Sequence, residues 1–174
     1  MTGPGDAPAD WLIDNRQLLP RAGTALDAAC GRGRHALWLA AQGFRVLAVD
    51  RDGRALDDLE ATARRRGLSE VATAVLDLES GDSVLPADAF DVIVAVHYLH
   101  RALFPRLIDA LRPGGVLVYE TFTTAQAVRG KPTNPDFLLL PGELLRLIQP
   151  LVVLASREGE FGGRDVASVV ARKP

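Results

Sequence analysis

The chain has 174 residues, 48% of them hydrophobic and 24% charged, with a formal net charge of −2. This length and balance suit one globular domain with a sizeable core, and the charge offers no basic field for a nucleic-acid partner. A single cysteine, Cys30, excludes an internal disulfide or a cysteine zinc cluster, so no metal site is expected and a reducing, cytoplasmic setting is.

The first ten residues, MTGPGDAPAD, are acidic and rich in Gly and Pro, without the basic flank and apolar centre of a secretory signal. No apolar run reaches the ~20 residues of a membrane span, so no membrane partner is expected. Residues 1–9 are expected to be disordered. With a short helix from Trp11 to Leu19, stopped at Pro20, they form a leading segment over 1–20, ahead of one domain over 21–174. Trp11, Leu12, Leu18 and Leu19 need a surface to cover, and the cofactor side of the fold is the expected one.

From there strands and helices alternate. Thr24–Ala28 reads as a short buried strand. Arg34–Ala41 reads as a helix with Leu37, Trp38 and Ala41 on one side, ended by Gly43. Arg45–Val49 is a second strand, Asp52–Arg66 a helix ended by Gly67, and Val71–Leu76 a third strand. The basic run Arg64–Arg66 falls at that helix's end, where cations complement the helix dipole. Asp88–Phe90 leads into a fourth strand in DVIVAVHYLH, whose continuous apolar run suits a parallel strand covered on both faces. A helix over Arg101–Leu111 ends at Pro113–Gly115, and Val116–Thr121 is the fifth strand. The polar stretch TTAQAVRGKPTNPDF is a long loop, either functional or disordered. Pro141 opens a helix to Ile148. Leu151–Ser156 and Val166–Ala171 follow as an antiparallel pair, since their link is too short for a helical crossover. The count is seven strands with helices between the first six: an α/β, Rossmann-like, doubly wound sheet with helices on both faces and the last strand antiparallel.

The stretch ALDAACGRG at Ala25–Gly33, followed by VLAVD ending at Asp50, carries the chemistry. A carboxylate closes the first strand, glycines let backbone approach a ligand, and an acid closes the second strand. That pattern fits a nucleoside-containing cofactor gripped by its ribose. Taken in order, LDAACGRGR, VLAVD, VLDLES, FDVIVAVHYLH and LRPGGVLVYETF resemble class I S-adenosylmethionine-dependent methyltransferases over nearly the whole chain. CGRGRHALWLAAQG is most similar to the small tellurite-resistance-type branch.

The resemblance implies S-adenosyl-L-methionine as cofactor and a set of positions for it. Asp27 faces the cofactor's amino end. Ala29, Cys30, Gly31 and Gly33 form the loop beneath it, and Arg34 pairs with the methionine carboxylate. Asp50 takes both ribose hydroxyls and Arg51 lies along the adenine. Asp77 and Leu78 meet the adenine edge. Ala95 and Val96, with His97, line the methyl-transfer centre. One position departs from the family: Ala29 stands where the loop begins with glycine, a replacement that costs most where the backbone needs positive φ. Bland readings stand beside these. Asp27 can be a helix cap, Asp77 a simple turn, and Cys30 a small buried residue.

Acceptor-side candidates are His97, Tyr98, His100 and Arg101 after strand four, Glu120–Thr124 after strand five, and Arg129, Lys131, Thr133 and Asn134 in the loop. Arg164 joins them from the last hairpin. His97 or His100 is the natural general base, while His35 reads as structural or cofactor-side. Arg101, Arg129 and Lys131 suit an anionic acceptor, or are solvated loop charges. With no inserted lid or extra domain in view, a small-molecule acceptor, anionic in one reading, is preferred over protein or nucleic acid. NPDF does not stand after strand four, where HYLH does, which argues against DNA adenine methylation. Two other functions fit the pattern. G-x-G-x-x-A over Gly31–Ala36 also suits an NAD(P)-dependent oxidoreductase, and a non-catalytic adenosylmethionine-binding module would explain Ala29.

Overall fold

The structure, a computed structural model, describes residues 7–81 and 84–174. Seven strands form one sheet in the order β3-β2-β1-β4-β5-β7-β6: β1 (Gly23–Ala28), β2 (Phe44–Asp50), β3 (Val71–Val75), β4 (Phe90–Val96), β5 (Leu111–Phe122), β6 (Val152–Phe161) and β7 (Arg164–Arg172). The first five run parallel, while β7 is antiparallel to both β5 and β6. The sheet class and the antiparallel last strand follow the expectation.

Alternation along the strands sorts the side chains onto two cores. Leu26, Ile93, Leu117 and Tyr119 face one side, where α4 (Phe104–Ala110) and α6 (Glu143–Leu147) cover them through Phe104, Leu107 and Leu144. Ala25, Val92, Val94 and Val118 face the other, covered by α1 (Asp10–Asp14), α2 (Arg34–Ala41) and α3 (Gly53–Arg65) through Leu12, Leu39 and Leu59. Helix α3 starts where Asp52 accepts from the N–H groups of Arg54 and Ala55, which satisfies two donors the helix leaves unpaired.

Four expectations change. No helix joins β3 to β4 among the described residues; turns do. The segment 101–110 begins as a 3-10 turn, Arg101–Leu103, before α4, because Pro105 has no N–H and so suits a helix start. The residues after α4 already belong to β5, whose register to β4 shifts between Phe90 and Val92. The amino-terminal helix is five residues followed by a separate 3-10 turn, Arg16–Leu18, with Trp11, Leu12 and Leu19 buried in the core under α2 and α3. Residues 1–6, expected to be disordered, lie outside the described residues, whereas Ala9 is buried. Among the described residues no helix is long and apolar enough to cross a membrane.

Candidate functional site

Strand order reverses between β1 and β4, and open α/β sheets bind ligands beyond the carboxyl ends of their strands at that point. A cleft of about 550 Å³ lies there. Each parallel strand supplies part of its lining: Ala29 after β1, Asp50 and Arg51 at the end of β2, Leu78 and Glu79 after β3, His97 and Tyr98 after β4, and Phe122 at the end of β5.

The loop between β1 and α2 is held by carboxylates. Asp50 accepts from the Gly31 N–H at 2.7 Å through one oxygen and from the Asp52 N–H at 2.9 Å through the other. Each carboxylate oxygen keeps a further lone pair for a ligand. Asp27 is buried and accepts from the Ala36 N–H at 2.9 Å, with the His35 Nδ1 at 3.8 Å. It thus satisfies one backbone donor in the first turn of α2 and is not in the lining of the cleft. Gly31 and Gly33 both have positive φ. A Cβ on Gly33 would overlap the Leu59 side chain, its Cγ only 2.8 Å away, whereas one on Gly31 would meet nothing within 4 Å. Ala29 has φ +54°. The loop thus keeps the left-handed backbone glycine would favour, at a cost of roughly 1–2 kcal/mol for an L-residue. Cys30 is buried, with its thiol against the Gly31 carbonyl, and burial together with Asp27 and Asp50 pushes its pKa well up; it packs the loop and is no nucleophile.

His97 also has positive φ, +59°. Its ring stacks on Phe122, centroids 4.7 Å apart, and its Nε2 stands 4.0 Å from Glu120 Oε1. Burial and the nearby Arg34 and Arg164 guanidiniums bring its pKa down to about 4, against the opposing pull of Glu120, so the imidazole is neutral and a weak base at pH 7. Next to it, burial first and then Glu79 and Asp77 push the Tyr98 phenol up to about 12, which keeps it a hydrogen-bond donor. Both His97 Nε2 and the Tyr98 hydroxyl are buried without a hydrogen-bond partner among the described residues. Two orphaned polar atoms in the lining of one cleft are what a polar ligand there would satisfy.

Several predicted residues have other tasks. Arg101 is absent from the lining. It makes a paired contact with Glu143 (2.6 and 3.0 Å) and donates to the carbonyls of Asp136 and Leu138. Arg129 is likewise engaged by Asp165 and Glu160. These clamps, with the Thr123–Leu139 bridge, order the long loop and set Lys131, Pro132 and Phe137 against the cleft. His100 precedes the 3-10 turn and does not line the cleft. Ala95 and Val96 are buried on opposite faces of the sheet, so the lining from this strand begins at His97. Asp77 closes a turn by accepting from the Glu79 N–H, and it is Glu79 that reaches the cleft. Arg34, expected at the donor's methionine carboxylate, is not in the lining of the cleft and lines a neighbouring cavity. Sequence reading missed Glu79, Phe122 as the partner of His97, and Phe137; the aromatic pairing joins residues 25 apart in the chain and carries no local signal.

The family described as "Methyltransferase domain" matches residues 25–115. A ribosomal protein L11 methyltransferase of Thermus thermophilus is 40% identical over 92 residues, 52% of this chain and 35% of that protein, so the chain spans about a third of that curated relative. Among solved structures, an S-adenosylmethionine-dependent methyltransferase from Mesorhizobium loti aligns over 95% of this chain and 98% of its own, with a TM-score of 0.76 at 19% identity. TehB from Haemophilus influenzae aligns over 95% of this chain and 62% of its own, with a TM-score of 0.78 at 21% identity. At these identities the structural likenesses show the fold.

Proposed function

Because this chain belongs to the methyltransferase domain family, with S-adenosylmethionine as its cofactor, we propose that the 550 Å³ cleft holds the methyl donor and that the acceptor is a small molecule. The observation that carries this is the position of Asp50. It stands at the end of β2 in the cleft lining, with both oxygens already oriented by backbone N–H groups, so it is set to receive a pair of ribose hydroxyls. Leu76, Leu78 and Tyr98 offer apolar and aromatic surface for a base, and Glu79 offers an acceptor at its edge.

The donor supplies a methyl already activated on a sulfonium sulfur. The chain therefore has mainly to align and to exclude water. The clamped loop lines one side of the cleft with Lys131, Pro132 and Phe137. His97, neutral and stacked on Phe122, presents a fixed hydrogen-bonding nitrogen at the cleft wall. Its low basicity suits an acceptor that arrives with its lone pair free better than one needing deprotonation. The oxidoreductase alternative loses its support with the family match, and the left-handed Ala29 leaves the binding loop formed.

Calorimetry of the protein with S-adenosylmethionine, its demethylated product and NADH tests this. Micromolar binding of the first two alone is expected. Binding of NADH alone, or of none, would refute it.

A further inference from the structure

A second cavity, about 420 Å³, adjoins the first, with Arg34, His97, Glu120, Arg157 and Arg164 in its lining. Among the described residues His97 alone lines both. The two spaces therefore meet at a single imidazole whose Nε2 makes no hydrogen bond among the described residues.

The charges of this second space divide into a neutralised inner set and an open pair. Glu120 is buried, and its Oε2 accepts from the Ser168 hydroxyl at 2.6 Å and from Arg157 at 3.0 Å. Arg157 itself lies between the rings of Trp11 and Phe161, 4.7 and 4.1 Å from their centroids, so that pair is spent on structure. Arg34 donates only to the Ala7 carbonyl, and neither Arg34 nor Arg164 enters an ion pair among the described residues. Asp10 and Asp14 also line the cavity, from exposed positions on α1, and Arg164 is exposed as well, so solvent screens all three. At His97 the two arginines outweigh Glu120.

We propose that this second cavity is the acceptor chamber and that it takes a small acceptor bearing an anionic group, held by Arg34 and Arg164, with its nucleophilic atom turned toward His97 and the donor cleft. This rests on the reading of the larger cleft as the donor site. For a thiolate acceptor the step balances without a base. The sulfur lone pair forms the new bond to the methyl carbon, the donor's S–CH₃ bond breaks with its pair left on sulfur, and sulfonium and thiolate become two thioethers. Arg164 then shares the setting of charge specificity with Arg34.

Three thiols that differ in charge test this: 3-mercaptopropionate, 2-mercaptoethanol and cysteamine. Each is titrated by calorimetry into protein saturated with S-adenosylhomocysteine, and turnover is followed with labelled donor. The anionic thiol is expected to bind at least about tenfold tighter than the other two, following the strength of charge-assisted contacts. Arg164→Ala should cut that preference at least about threefold, Arg34 retaining the remainder, while leaving S-adenosylhomocysteine affinity within about twofold. Equal affinity for the three thiols, or no binding of the anionic one to the loaded protein, overturns the proposal. So does an Arg164→Ala variant that loses S-adenosylhomocysteine but keeps 5′-methylthioadenosine, since the arginine would then serve the donor's own carboxylate. Failure of S-adenosylhomocysteine to bind shows before any thiol is added, and refutes the donor site itself.

Discussion

Replacing Asp50 should injure stability and cofactor affinity together, by separable amounts. The carboxylate holds the Gly31 and Asp52 N–H groups. Hydrogen bonds to a charged group contribute about 1.5–3 kcal/mol each when removed, and partial exposure puts these toward the lower end. Asp50→Ala should therefore cost about 3–4 kcal/mol, which for a domain of this size lowers Tm by on the order of 10 °C. Affinity for S-adenosylhomocysteine should fall further, by roughly 10²–10³-fold, because two ribose contacts go as well. Asp50→Asn offers one amide oxygen and so keeps one of the two loop contacts, while its amide nitrogen faces the other donor. It should melt between the parent and the alanine variant. Thermal unfolding of the free proteins, followed by calorimetry at a temperature where both are folded, separates the two effects. An alanine variant that melts with the parent would show that the loop does not depend on this carboxylate, and one with parental affinity would remove Asp50 from the ribose.

Three further outcomes are expected. Gly31→Ala meets only the backbone cost of positive φ, about 1–2 kcal/mol, whereas Gly33→Ala adds a clash with Leu59, worth roughly 1–3 kcal/mol more; denaturant titrations giving equal losses would contradict the packing described. His97 has its pKa lowered from 6.5 to about 4 in the folded protein, so between those values the unfolded chain binds more protons. Its contribution to stability is whole above pH 6.5 and is lost as pH falls toward 4, with a slope of at most about 1.4 kcal/mol per pH unit. His97→Gln should flatten the melting profile over that window, and an unchanged profile would place the acid sensitivity elsewhere. Arg101→Ala frees Glu143 and two loop carbonyls, so limited proteolysis should cut within 123–142 faster than in the parent, while S-adenosylhomocysteine still binds. Equal cutting rates would mean that the loop is held without this clamp.

Local physics was legible where neighbours in sequence decide the outcome. Helix α2 was read with the bounds observed because apolar spacing and the flanking glycines are local signals. The placement of Asp50 followed from its strand. What stayed hidden depends on distant partners. Arg101 looked like a free cation because Glu143 lies 42 residues on. Asp77 and Glu79 are two residues apart, and only the turn that Asp77 closes decides which of them reaches the cleft. Ala95 and Val96 continue the buried alternation of β4, and the backbone reversal that opens the lining comes at His97, where no glycine announces it.

The hairpin of β6 and β7 carries Glu160 and Asp165, which grip the loop through Arg129, and Arg164, which faces the smaller cavity. It sits at the far side of the sheet from β2 and β3, which supply Asp50 and Leu78. On the proposed assignment the hairpin end of the acceptor chamber and the donor-side strands are different stretches of chain, which meet at Arg34 and His97. If that assignment holds, substitutions at this one turn would alter the charge offered to an acceptor while the left-handed loop and its carboxylates stay as they are.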